Sequence, residues 1–584
     1  MTGDAAIAGL GMTSLGRVFG SSPRRLAAAA VRLAAADAGM AVSDLDGLLV
    51  CPGITGGLDI GLAGQLGMRD LALLAVVNSF GASAATAVQV AAQAVTSGAA
   101  RSVACVFADT PLREGQPAGS AFGRGGEPAA GGPSERHGLP GLAAGYGFSS
   151  VTVYYALAAR RHMERFCTTS AQLGAIAVAQ RQWARGNPAA QYREPITLAD
   201  HQGSRWVAEP LHLLDCSLVS NGAIAVIVTS ASAAADGPRP PVHVWGWGQG
   251  HPGQPMARGS EFGLVTGAVQ AGRAAMAMAG VKPADVTMCQ IYDCYTYTVL
   301  VTLEDYGFCA KGEGGPFAAS GALAPGGSLP VNTGGGQLSA YYMWGFTPLS
   351  EAVIQARGDG GERQSPATDV ILVSGNGGIL SHHGTLVVSP FPRDRAVRSA
   401  VRGAVRRGRN WAEQAQPGQA ETGPSGTIAA AAETDASGDA STAMTLAGPE
   451  QLGIVRPDAR SAPFFAAAAE DVLAIRRCEE CGTWLAPTAS GCPGCWRDGE
   501  PGWAPASGRG ALVSWSVVPP RHGGPVAVPA LVELDEGPWL SAGLVLASPR
   551  ELRSLRAGQR VAVSFVHPDE GASYPVFGPL DSPG

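Results

Sequence analysis

Three groups of residues in this chain have types and spacings that could do chemistry. The first is Cys478-x2-Cys481, ten intervening residues, then Cys492-x2-Cys495. Four thiolates in two such knuckles are the donor set of a tetrahedral zinc site. A site closed by four cysteines leaves no coordination position for substrate, so this zinc is expected to be structural. The second group is tyrosine. Six of the 11 tyrosines lie between residues 292 and 342: Tyr292, Tyr295, Tyr297, Tyr306, Tyr341 and Tyr342. Asp293 follows the first of them, and His382 and His383 follow a glycine run, so each could relay a proton. A free tyrosine has a pKa of about 10, so one acting as a base needs a depressed value or such a relay. The third group is defined by scarcity. Lys282 and Lys311 are the only lysines, each in a turn, and Schiff-base chemistry has no other candidates.

The elements that must position these groups alternate between strand and helix over residues 1–395. Ala5–Met12, Leu48–Cys51, Ser102–Ala108 and Ala223–Thr229 read as short, largely apolar strands. Ser22-Pro23 offers an N-cap and an N1 proline to an Ala/Leu-rich helix that stops at Gly39. Residues 84–96 form a small-residue helix. From residue 236 the logic repeats: strand 242–247, helix 267–279, strand 286–292, a helix near Val299 and strand 370–374. This predicts a layered α/β fold of two similar halves, 1–235 and 236–395, with no clear sequence repeat. Residues 110–147 are Gly/Pro-rich and read as a long loop. Residues 396–460 carry few large apolar side chains and read as a flexible linker. Residues 461–500 read as a helix around Phe464–Ile475 followed by the cysteine element. Strand runs at 511–518, 526–534, 539–546 and 560–566 make residues 501–584 a small β-barrel.

Composition narrows the function classes. With 46% apolar residues the chain can bury large cores. A net charge of −6 and a pI near 6.0 argue against nucleic-acid and anionic-membrane partners. No apolar run approaches the roughly 20 residues of a membrane span. Asp4 and the lack of a basic start speak against a signal peptide, and the metal-type cysteines point to the reducing cytoplasm.

Four segments of residues 1–395 resemble the thiolase family, in particular the sterol-carrier-protein-x and lipid-transfer-protein types. Val77-Asn-Ser-Phe-Gly-Ala-Ser-Ala84 resembles the nucleophile loop. Gln290-Ile-Tyr-Asp-Cys-Tyr-Thr296 resembles the HDCF-type segment. Val331-Asn-Thr-Gly-Gly-Gly-Gln-Leu-Ser339, continued by Ala340-Tyr-Tyr342, resembles the glycine-rich segment that ends in GHP. Ser374-Gly-Asn-Gly-Gly378 resembles the second cysteine loop. A zinc ribbon directly before a small barrel resembles the ribbon plus OB-fold domain found beside thiolase-like enzymes. The resemblance implies a duplicated αβαβα body with this domain fused to it.

The departures from the thiolase pattern decide the chemistry. The nucleophilic cysteine falls at Gly81, the second cysteine near Gly375, the histidine of GHP at Tyr342, and the polar residue before the acid at Tyr292. Without a thiolate no acyl-enzyme forms by the thiolase route. Ser79 lies two residues away with no evident base, and Cys294 is expected to be buried and inert. This replacement set resembles the thiolase-like aldolases of bacterial steroid side-chain degradation. They split a β-hydroxyacyl-CoA by retro-aldol chemistry, in the best-known case into propionyl-CoA and a 17-keto steroid. That chemistry needs a base for the β-hydroxyl, donors for the enolate on the thioester, and an acid for the α-carbon. The resemblance therefore implies Tyr292 and Tyr342 as acid/base residues, with Asp293, His382 and His383 as relays. Gly81, Asn332, Gly335, Gly336, Gly377 and Gly378 are the implied oxyanion and substrate-binding positions.

Two other readings are a carbon–carbon bond-forming or acyl-transfer enzyme on the same fold, and a non-catalytic acyl-CoA-binding or scaffold protein. The expected cofactor is structural Zn2+, with a CoA thioester as substrate. The thiolase resemblance further implies a homodimer joined through sheet edges, and a ribbon/OB domain that packs on the body in cis or across the dimer.

Overall fold

The computed structural model describes residues 4–118, 135–253, 256–257, 259–393, 453–496, 499–520 and 526–580. Nine strands form one sheet: β1 Ala5–Met12, β2 Gly47–Pro52, β3 Leu73–Val76, β4 Ser102–Asp109, β5 Gly222–Ser230, β6 Val242–Gly250, β7 Met288–Gln290, β8 Ile371–Gly377 and β9 His382–Ser389. Their order is β7-β8-β9-β6-β1-β5-β4-β2-β3. Strands β4 and β5 read as unbroken small and apolar runs because the sheet is covered on both faces.

The helices that matter to the site are α1 Pro23–Asp37, α2 Ser83–Ser97, α3 Val151–Phe166, α4 Ser170–Ala184, α5 Ala268–Ala279, α6 Thr296–Asp305, α7 Gly336–Ser339 and α8 Phe346–Arg357. Helix α1 starts as its sequence predicts, with Ser22 accepting a hydrogen bond from the Arg25 amide and Pro23 at N1.

The same pairing pattern occurs twice. Strand β1 pairs antiparallel with β5, β5 antiparallel with β4, and β4 parallel with β2. Strand β6 repeats this with β9, β8 and β7. The duplication is written into the chain as glycines where a helix backbone lies on a strand. A Cβ on Gly9 of β1 would come within 2.1 Å of the Ala34 carbonyl of α1, and one on Gly246 of β6 within 2.2 Å of the Ala275 carbonyl of α5. Only glycine permits that approach.

Beyond the body, strands Ala474–Arg477, Trp484–Leu485 and Gly502–Pro505 form the ribbon sheet. Strands β10 Arg509–Trp515, β11 Pro529–Leu534, β12 Trp539–Gly543, β13 Arg560–Val566 and β14 Tyr574–Pro579 make the barrel sheet, in the order β12-β11-β10-β13-β14.

This module packs on the body of its own chain. The backbones of Glu209 and Val517 exchange hydrogen bonds of 2.8 and 3.4 Å. The Ser514 hydroxyl donates to the Leu157 carbonyl of α3 at 2.7 Å. Arg160 and Arg161 of α3 lie over the Trp515 and Trp539 rings at 5.2 and 5.0 Å.

Several expectations are corrected. The helix expected around Phe464–Ile475 spans Ala462–Ala469. Asp471, with φ of 57°, ends that run, and residues 474–477 turn to strand because residues 502–505 pair with them. Strand 286–292 narrows to 288–290, because the Ile291 amide leaves the sheet for the Asn332 side chain. The loop expected over 110–147 carries a helix at Gly138–Gly145. In the expected linker 396–460, Val455–Arg456 pairs with Arg136–His137, while residues 396–452 lie outside the described residues. No described helix is long and apolar enough to cross a membrane.

Candidate active site

The site forms where α2 and α8 begin. A Cβ on Gly345, at the start of α8, would come within 2.3 Å of the Gly81 carbonyl, just before α2. Gly375 and Gly377 of β8 press on the same loop, with Cβ positions 2.5 and 2.4 Å from the Gly81 and Ser79 carbonyls. Two helix N-termini and the end of a strand thus converge on Gly81. Strain concentrates there as well. Of the nine described non-glycine residues with positive φ, five (Phe80, Asn332, Trp344, Ile379 and Leu380) sit in the loops that carry the predicted site residues. Such backbone conformations persist where the surrounding structure over-determines them.

Tyr292 and Tyr342 meet at this point. Their hydroxyls are 3.0 Å apart and their ring centroids 6.5 Å. A Cβ on Gly81 would fall 2.4 Å from the Tyr292 ring and 2.0 Å from the Asn376 carbonyl. The tyrosine ring therefore fills the volume that a side chain at residue 81 would need. Burial and the neighbouring phenol push Tyr292 well above the usual tyrosine range, and burial does the same to Tyr342. Both phenols are neutral at physiological pH. Tyr342 is half-buried and Tyr292 buried, so the pair is met from the Tyr342 side. The Ser220 hydroxyl accepts from the Tyr342 amide at 3.0 Å and fixes its backbone.

The other predicted residues separate into distinct places. Asp293 accepts hydrogen bonds from the Gln337 and Leu338 amides at 2.9 and 3.2 Å, capping α7. Burial lifts its carboxyl to about 7. Gly336, with φ of 60°, lets the turn close on this carboxylate, from which a Cβ would be only 2.1 Å away. The Gly335 amide is spent on the Asn332 carbonyl at 2.8 Å. Asn332 holds the Ile291 amide at 2.6 Å, fixing the residue before Tyr292. Asn332, Gly335 and Gly336 thus lie around Asp293, while Gly81 lies against the Tyr292 ring and Gly377 against the loop of residues 79–81. Gly378 turns beside Ser381 and His382.

His383 is buried against Tyr306, 2.9 Å, and Ser374, 3.2 Å. Desolvation drops it to about 3, so it is neutral, and its bonds do not reach the pair. His382 shares a 3.0 Å contact with His251 and stacks on Phe80 at 6.2 Å. Ser79 contacts Thr86 at 3.3 Å and has no basic partner among the described contacts. Burial lifts the Cys294 thiol to about 12, which makes it inert as a nucleophile.

Sequence reasoning missed Tyr155 of α3, whose ring lies 4.7 Å from that of Tyr295. It lies outside the tyrosine-dense window and reads as an ordinary core residue. Ser220 was missed too, since nothing in its neighbourhood marks it.

In the ribbon, the Sγ atoms of Cys478, Cys481, Cys492 and Cys495 all lie within 4.8 Å of one another. Thiolates about 2.3 Å from a tetrahedral ion lie about 3.8 Å apart, which is inside that limit. The donor set fits a metal ion held by four thiolates.

Comparison with known proteins agrees with this geometry. Residues 248–390 match the thiolase C-terminal domain-like family. Residues 465–500 match the ChsH2 rubredoxin-like zinc ribbon domain, and residues 503–566 the ChsH2 C-terminal OB-fold domain. The chain is 38% identical over 386 residues to a steroid side-chain-cleaving aldolase of Thermomonospora curvata, covering 65% of this chain and 96% of the relative. It is 39% identical over 389 residues to a 17-hydroxy-3-oxo-4-pregnene-20-carboxyl-CoA lyase of Mycobacterium tuberculosis, covering 65% and 97%. Among solved structures, an Ltp2-ChsH2(DUF35) aldolase aligns with a TM-score of 0.58 at 36% identity, over 66% of this chain and 98% of that one. A monomeric SCP2-thiolase-like protein of Mycobacterium smegmatis aligns with a TM-score of 0.61 over 98% of both chains at 16% identity, a likeness of fold.

Proposed function

The chain belongs to the thiolase-like steroid side-chain-cleaving aldolases, and from that membership we propose that it splits a β-hydroxyacyl-CoA between the α- and β-carbons, using Tyr292 and Tyr342 as one proton relay. The supporting observation is the 3.0 Å contact between two protonated phenols, the buried Tyr292 and the half-buried Tyr342, with the Tyr292 ring packed where the thiolase pattern places a thiolate. The enzyme is a lyase. Its substrate is a CoA thioester with a tertiary β-hydroxyl of the steroid side-chain type, and its products are a ketone and a shorter acyl-CoA.

A neutral pair can do this without net charge on the protein. The β-hydroxyl proton passes to the oxygen of one phenol. That phenol's own proton crosses to the second, and the second gives its proton to the α-carbon. The bond between the α- and β-carbons breaks, the β-carbon becomes a ketone, and the electron pair rests transiently on the thioester oxygen as an enolate. Gly81, Gly377 and Gly378 and the loops at the N-termini of α2 and α8 are the positions we assign as backbone donors to that charge. Asp293, Asn332, Gly335 and Gly336 hold the segment from which Tyr292 projects. His383 keeps β8 and β9 in place, and His382 borders the loop at Phe80. The relay is symmetric, so condensation is the same path reversed.

The four thiolates take zinc, as a closed structural site. The body pairs with a second copy along β3, an edge strand whose Leu74 and Val76 are exposed, beside exposed Phe80. The reaction is tested by giving the purified chain a tertiary β-hydroxyacyl-CoA. The expected result is ketone and shorter acyl-CoA in a one-to-one ratio. Recovery of intact substrate across steroid and non-steroid acyl-CoAs would overturn the reading.

A further inference from the structure

Helix α3 lies between the tyrosine cluster and the barrel. On one side the Thr152 hydroxyl is 2.9 Å from the Tyr295 hydroxyl, the Tyr155 ring packs at 4.7 Å on the same tyrosine, and the Tyr155 hydroxyl is hydrogen-bonded to the side chain of Cys294, between Tyr292 and Tyr295. Tyr295 is the N-cap of α6 and lies three residues after Tyr292. The loop between them is tied to α6, since the Thr298 hydroxyl contacts the Tyr292 and Tyr295 carbonyls at 3.1 and 2.7 Å. Whatever fixes Tyr295 therefore fixes the backbone that carries Tyr292.

On the other side the same helix carries the barrel. Ser514 donates to the Leu157 carbonyl at 2.7 Å, and Trp515 lies under Arg160 at 5.2 Å. Arg160 in turn pairs with Glu209 at 2.7 Å, and the Glu209 carbonyl accepts from Ser516 at 2.9 Å. Tyr155 and Leu157 are two residues apart, so the anchoring of the barrel and the support of Tyr295 share one turn of helix.

We propose that Tyr155 is a positioning residue for the Tyr292–Tyr342 pair and that α3 couples the docking of the barrel to it. The proposal rests on the reading of that pair as the reacting groups. It gives the fused module a part in turnover through α3, without a contact to substrate. Proton transfer is steeply sensitive to geometry, and a displacement near 1 Å costs about 100-fold. A partial loosening at Tyr295 is expected to cost about 10-fold.

The test is a double-mutant cycle between Tyr155→Phe and the barrel double variant Ser514→Ala/Trp515→Leu. Each alone is expected to lower kcat about 10-fold, with KM for the acyl-CoA within about twofold. The combination is expected to lose no more than the worse of the two. Losses that multiply, a loss carried by KM, or a Tyr155→Phe chain as fast as wild type would overturn the proposal. Thermal melting and zinc content identify any variant that fails to fold, and Thr152→Val then replaces Tyr155→Phe.

Amide hydrogen exchange over residues 292–298 supplies a readout independent of turnover. Faster exchange there in the folded barrel variant supports the coupling, and unchanged exchange contradicts it. If wild type cleaves nothing, the reading of the pair fails while the exchange result still decides the connection.

Discussion

At the scale of the residue, glycine in place of the thiolate and tyrosine in place of the polar residue before Asp293 are coupled by packing. Gly81 is small because the Tyr292 ring occupies the space beside it. Restoring cysteine at residue 81 is therefore not expected to restore a thiolase. Gly81→Cys should displace Tyr292, abolish cleavage, and give no acyl adduct by intact mass with a short acyl-CoA. An acyl adduct on that variant would contradict the packing argument. The tyrosine positions were legible in the sequence because they replace polar groups of a known pattern. The reason for Gly81 was not, since the ring that fills its space is 211 residues away in the chain and only the fold brings it there. Tyr155 was illegible for the same reason. Its residue type and helical setting are those of any buried aromatic side chain.

At the scale of the element, α7 is four residues long and depends on Asp293, whose carboxylate takes its first amides. That carboxyl titrates at about 7 in the fold and near 3.8 when unfolded. Between those values the native chain holds a proton that the unfolded chain has released. The stability from this group is therefore fully present below about pH 4 and is lost as the pH rises through 7. Asp293→Asn cannot titrate. Its melting temperature relative to wild type should be higher at pH 8 than at pH 5, and a gap independent of pH would contradict the assignment.

Strands were legible where apolar runs were long, as in β4 and β5. The repeat of the two halves was legible in the order of elements but not as a repeat of residues, apart from glycines at helix contacts such as Gly9 and Gly246. The start of the ribbon strand, residues 474–475, was misread as helix because its partner lies at 502–505, and pairing at a distance overrides local preference.

At the scale of the whole molecule, the relatives match about the first two thirds of the chain, and the ribbon and barrel follow in the same polypeptide. Zinc should be present at one ion per chain. Chelation should loosen the ribbon, seen as faster exchange over residues 474–505, before turnover falls. Turnover lost with the ribbon still protected would make the metal something other than structural. The exposed edge at Leu74 and Val76 predicts a dimer mass in solution, reduced to monomer by Val76→Glu. A wild-type monomer would refute the pairing along β3. The layered α/β class was legible from the alternation of elements, its thiolase-like form from the resemblance of four segments, and the metal ligands from cysteine spacing. The cis packing of the barrel was not, because its contacts join residues such as Ser514 and Leu157 across 357 positions.

The central claim is that Tyr292 and Tyr342 act as a single relay. It is tested most directly by kcat for cleavage of a β-hydroxyacyl-CoA in Tyr292→Phe, Tyr342→Phe and the double variant. Each single change should cost about 100-fold or more, and the double should cost no more than the worse single, since groups that act as a unit are not additive. Single variants within about tenfold of wild type, or losses that multiply in the double, would contradict it.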